Sequence, residues 1–144
     1  MNPKRIIIAI FAVFLAIVAT DFLIHGLWTK PNYVATANMW RPEVTMQKYM
    51  PWVFGGQFVI AIGFTMIWAR IAMGGAGLMC ALAYGFFVGL LFAGNSLIVY
   101  GVQPIEHHII LKWIIGGIVQ GIVVGFIAFQ AYKPSKPCPN ISGK

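Results

Sequence analysis

Four apolar runs, each near the length needed to cross a lipid bilayer, constrain this chain more than any other feature. They are Ile6 to Leu27, Trp52 to Ala69, Gly77 to Tyr100 and Ile109 to Tyr132. In lipid a lone strand would leave its N–H and C=O groups unpaired, so runs of this length predict helices. Composition points the same way: 60% of the 144 residues are hydrophobic and 9% are charged, against roughly 25% charged in soluble domains. The expectation is an all-α polytopic membrane protein with four transmembrane helices. Residues 1–133 form one transmembrane domain, and 134–144 form a Pro-rich cytoplasmic tail.

Ten Lys and Arg against three acids give a net charge of +7. In a soluble chain this would suggest nucleic acid. Here the basic residues sit at the ends of apolar runs, as anchors at a lipid boundary do, so the partner expected is membrane lipid and no nucleic acid. The first run is too long for a signal-peptide core, and Val18-Ala19-Thr20 is a poor cleavage site, so it reads as a retained span. Cys80 and Cys138 show no metal or disulfide spacing.

Lys and Arg bias sets the orientation. With the N-terminus inside, Lys4, Arg5, Arg70, Lys133, Lys136 and Lys144 are cytoplasmic, and Lys30, Arg41 and Lys48 are outside. Both termini are then cytoplasmic. Met73 to Ala76 is a tight inner turn and Gly101 to His108 a short outer loop. The longer outer loop, Thr29 to Pro51, has prolines suited to a first helical turn at Pro31 and Pro42. Its Tyr33, Trp40 and Tyr49, with Trp52, suit a membrane–water boundary. It reads as two short interfacial helices broken near Arg41-Pro42, with an irregular loop as the alternative.

Between helices in lipid, close backbone approach replaces the hydrophobic effect as the driving force. Gly77, Ala81, Gly85, Gly89 and Ala93 recur every four residues in the third run. Gly117, Gly121 and Gly125 do so in the fourth. Each set shares one helix face. Together they predict a tight antiparallel pair, or else contact with another subunit.

Polar residues in the runs gather toward one side. At ~1.5 Å per residue from each helix end, Asp21, Gln57, Asn95 and Lys112 all fall within roughly 5–10 Å of the outer boundary. Glu106, His107 and His108 stand at the outer mouth. Gln120 is the main polar residue near mid-span. A charge in lipid needs a partner or water. Asp21 has His25 four residues on, on the same helical face. Lys112, the only basic residue inside a span, predicts an Asp21–Lys112 ion pair.

Asp21, His25, Glu106, His107 and His108 are also candidate ligands for a divalent transition metal. Neighbouring His107 and His108 would point apart, however, and no HExxH pattern supports them. Haem ligation by His25 lacks a second histidine at matching depth. A proton relay lacks polar steps across the inner half. The plainest reading is a structural polar network, with no catalytic residue and no cofactor.

Three segments, DFLIHGLW (Asp21 to Trp28), MWRPE (Met39 to Glu43) and LKWIIGG (Leu111 to Gly117), together resemble small bacterial four-helix inner-membrane proteins of unknown function. The resemblance covers about Ile6 to Tyr132. It implies a bacterial inner membrane and carries no catalytic residue across. The functional expectation is a non-catalytic accessory or assembly subunit beside a larger membrane complex, respiratory or redox-active among the candidates. The alternative is a small transporter or metal-binding protein using Asp21, His25, Gln57, Asn95 and Lys112, with His107 or His108 at the entrance.

Overall fold

The computed structural model describes residues 2–133; the tail expected at 134–144, with Cys138, lies outside the described residues. Within them the chain is helical, without strands. Helix α1 (Pro3–Asp21) begins at an Asn2 side chain that accepts from the backbone N–H of Lys4 and Arg5 at 3.1 and 3.4 Å. An Asn cap followed by proline satisfies the free donors of a first turn. Without a break, α1 widens into a π-helical segment, Phe22–Trp28. There the Thr29 N–H reaches back five residues to the Ile24 carbonyl at 2.8 Å.

The chain then folds back over that end through α2 (Lys30–Ala35) and a 3-10 turn, Ala37–Met39. Helix α3 (Glu43–Met73), α4 (Leu78–Val102) and α5 (His107–Ala131) follow. The α3–α4 turn uses Gly75 at φ 84°, a left-handed conformation that glycine adopts without penalty. Four helices, Pro3–Trp28 and α3 to α5, are long and apolar enough to cross a membrane.

The outer loop departs from expectation in one respect. A short helix does begin at Lys30, and the break does fall at Arg41-Pro42, where Trp40 and Pro42 are extended. The residue before a proline avoids the helical region, which explains the position of the break. The second loop helix does not stand alone: residues 43–50 are the overhang of α3, which continues through Pro51. Proline removes one backbone hydrogen bond but does not force a stop, and α3 keeps its 31 residues as one helix.

Helix α5 packs on α4 along most of its length and also on α1, while α3 packs on α1. The expected small-residue seam lies inside the chain. A methyl group placed on Gly85 would overlap the Gly121 carbonyl, and one on Gly125 would overlap that of Ala81. Two members of the stripes do other work. Gly77 caps α4 in open space, and a Cβ on Gly117 would make only an ordinary contact with Phe92 Cβ at 4.0 Å. Gly116, outside the expected stripe, is the glycine that admits α1's continuation, with Ile24 2.9 Å from where its Cβ would be.

Helices α3 and α4 meet at the end of the bundle that holds the Gly74-Gly75 turn, the start of α1 and the end of α5. There Trp68 is fully buried and donates to the Tyr132 carbonyl at 3.1 Å. The Tyr84 hydroxyl donates to the Phe64 carbonyl at 3.0 Å. Elsewhere the two helices make few close backbone approaches and leave a gap. Ile60 and Phe92, facing each other's helix across that gap, stay 36% and 41% exposed.

Candidate functional site

Asp21 ends α1 as the bundle opens. Its carboxylate accepts from two carboxamides on different helices: Gln57 Nε2 on α3 at 2.5 Å and Gln120 Nε2 on α5 at 2.7 Å. Gln120 also donates to the Thr20 hydroxyl at 2.8 Å, and that hydroxyl donates to the Ala16 carbonyl at 2.7 Å. Three helices are thus tied at one acid, by neutral donors. Gln57 is buried and its Oε1 has no partner.

The expected Asp21–Lys112 pair does not form. Lys112 Nζ donates to the Trp28 carbonyl at 2.8 Å and to Asn32 Oδ1 at 2.6 Å. Depths counted from each helix's own end assumed that the ends were level. They are not: Lys112, five residues beyond His107 in α5, meets the very end of the π-helical segment at Trp28. Asp21 is level with Gln120 instead, eight residues or ~12 Å further along α5. The residue placed near mid-span by its sequence position therefore belongs to the cluster.

His25 does not reach Asp21 either; among the described residues the only ion pair is His108 with Glu106, at 2.7 Å. Positions four apart stack on an α-helix, but the wider π turn rotates them off register. His25 turns to α2, where its Nδ1 lies 2.7 Å from the Tyr33 hydroxyl. Trp113 Nε1 on α5 donates to that same hydroxyl at 2.7 Å. The hydroxyl's own proton then goes to Nδ1, which pairs every group and leaves the imidazole proton on Nε2. Burial pushes the Tyr33 phenol up to about 12, against the smaller opposing effect of the Trp113 hydrogen bond. Trp40 closes the assembly by packing on Tyr33 and Trp113, with ring centroids 5.1 and 6.1 Å away.

The remaining expected residues stay outside. Asn95 is on the exposed side of α4. Glu106, His107 and His108 form the start of α5 and line neither of the two cavities described next. Among the described residues, no three of His, Cys, Asp and Glu gather closely enough to hold a metal ion.

Two cavities flank His25. The inner one, ≈ 220 Å³, is bounded by all four long helices. Asp21, His25, Ser96 and Gln120 are its polar lining, and Phe64, Phe92 and Trp113 supply aromatic walls. Both α3 and α4, which make few close backbone approaches to each other, line it. The outer one, ≈ 590 Å³, lies under the loop that runs from Lys30 to Met46. Lys30 and Arg41 line it against a single acid, Glu43.

Tyr33, Asn32 and Trp113 were not among the residues expected at a site. A signal for them exists in the sequence. Only Thr29 separates Trp28 from a helix start at Lys30-Pro31, so the chain must fold back over the end of the first span. That return carries Asn32 and Tyr33 over Lys112 and His25. In comparisons with known proteins, no family, no curated protein and no solved structure matches this chain.

Proposed function

We propose that this chain crosses a membrane four times and serves as a non-catalytic binding or carrier protein for a small amphipathic molecule. This takes up the small-transporter alternative without the metal and without Asn95 and Lys112, which lie outside the cavity lining. The cleft between α3 and α4 carries the reading: an apolar cavity of ≈ 220 Å³ with a few convergent polar groups at its floor. Ligand sites have that character. A bundle held only for structure would gain by closing the gap, because a void forfeits dispersion contacts. Lys4, Arg5, Arg70 and Lys133 at the end opposite α2 support cytoplasmic termini. A bacterial inner membrane rests on the resemblance alone.

The accessory-subunit reading keeps one specific support. Helix α4 presents Phe87, Leu91 and Ile98 at 62%, 74% and 68% exposure, with the amide of Asn95 on the same exposed side. An amide facing lipid gains from a partner helix. In that case the protein would be recovered within a larger assembly.

Native mass spectrometry of gently solubilised membranes tests the cleft reading. Gly117→Leu should fill the cavity without disturbing the backbone, since a Cβ there clashes with nothing and its nearest neighbour is Phe92 Cβ at 4.0 Å. The wild-type chain is expected to carry a bound small molecule that Gly117→Leu loses. Identical bound-molecule spectra for the two would sink the reading.

A further inference from the structure

Charge bookkeeping in the inner cavity is unbalanced. Its lining contains one carboxylate, Asp21, and no Lys or Arg. The nearest lysine in the fold's logic, Lys112, is committed to the Trp28 carbonyl and Asn32. Among the described residues no cation lies within ion-pair distance of Asp21. Gln57 and Gln120 offset part of the desolvation cost but bring no charge. A carboxylate in apolar surroundings is left one counter-charge short, which is costly unless something supplies it.

The cavity has aromatic walls: Phe92 stands near the level of Asp21, while Phe64 and Trp113 lie ~10 Å to either side along α3 and α5. Phe64 comes from α3, Phe92 from α4 and Trp113 from α5. Ring faces attract cations, most strongly where water is excluded. We propose that the cleft binds a lipophilic cation. Its ammonium-type head lies against the Asp21 carboxylate beside Phe92, and its apolar part leaves between α3 and α4. The cation arrives from the side: the outer cavity carries Lys30 and Arg41 against Glu43 alone and repels it.

The inference rests on the cleft reading above, and binding of radiolabelled probes to the full chain in phosphatidylcholine nanodiscs separates the two. The probes are decyltrimethylammonium, decanol and decyl sulfate, which share a tail and differ in charge. Wild type should bind the cation saturably and about tenfold or more tighter than decanol, the scale of one charge pair in apolar surroundings. Decyl sulfate should not bind. Asp21→Asn should lose that preference, and Asp21→Glu should retain it. Asp21→Asn is expected to fold, because the Gln57 amide can reverse and offer its unpartnered Oε1. If it does not fold, the wild-type selectivity alone decides. Equal affinity for decanol and the cation, both lost in Gly117→Leu, would overturn the cation and keep the cleft. Binding of all three probes indifferent to Gly117→Leu would overturn both.

Discussion

Substituting Gly85 with alanine tests the α4–α5 seam. The new methyl would overlap the Gly121 carbonyl, a backbone atom that cannot rotate away. Further along the seam, a methyl on Gly89 would stand 2.7 Å from Ile118 Cα, where ordinary contact begins near 3.4 Å. The helices would have to part there by about 0.7 Å, the difference of those two distances. A radial gap of about 0.5–1 Å forfeits a quarter to a half of each contact's dispersion energy. Overpacking of this kind costs about 1–3 kcal/mol. Gly94 on the same helix has nothing within 4 Å of a built Cβ. Gly94→Ala should therefore change stability by no more than about 0.5 kcal/mol. Unfolding in mixed micelles, titrated with sodium dodecyl sulfate and followed by circular dichroism, measures both. Gly85→Ala should be the less stable by about 1–3 kcal/mol. Adding Gly121→Ala should cost less than its own separate effect, because the helices have already parted. Equal stability of Gly85→Ala and Gly94→Ala would refute the close-packed seam.

Other perturbations bear on the polar cluster and its cover. Lys112→Met and Asp21→Asn should destabilise additively in a double-mutant cycle, because their partners are separate; mutual rescue would restore the direct pair. Tyr33→Phe should cost about 1–3 kcal/mol by stranding Trp113 Nε1 and His25 Nδ1, and Trp113 fluorescence should shift as its indole loses that partner. The raised Tyr33 pKa makes a contribution to stability that is complete below the ordinary tyrosine value near 10 and lost as pH rises toward about 12. Alkaline unfolding of wild type beside Tyr33→Phe, with tyrosinate absorbance as the readout, should show that loss in wild type only.

Much of the fold is legible in hydropathy and spacing. Apolar length locates the four long helices, since backbone groups in apolar surroundings leave few alternatives. Ala81, Gly85, Gly121 and Gly125 announce the α4–α5 seam, because a small residue every fourth position marks one face. The polar site is harder to read, for two physical reasons. Depth counted from a helix's own end carries no information about how far neighbouring ends are staggered. That stagger is what brings Gln120 to Asp21 and takes Lys112 away. The second reason is the π turn at Phe22–Trp28. An α-helical rule applied to Asp21 and His25 pairs two residues that the wider turn separates. Gln57 and Gln120 could be recognised as polar, but their convergence on one carboxylate depends on three helices at once. The continuation of α3 through Pro51 is also not legible, because a proline costs one backbone hydrogen bond yet can leave a long helix unbroken.

The central claim is an open cleft with Asp21 at its floor, occupied by a lipophilic cation. An experimental density map of the protein, purified from its own membrane into lipid nanodiscs with decyltrimethylammonium added, tests it most directly. The account predicts density between α3 and α4 that contacts Asp21 and lies beside Phe92. A map with α3 packed against α4 along its whole length, and no density at Asp21, would contradict it.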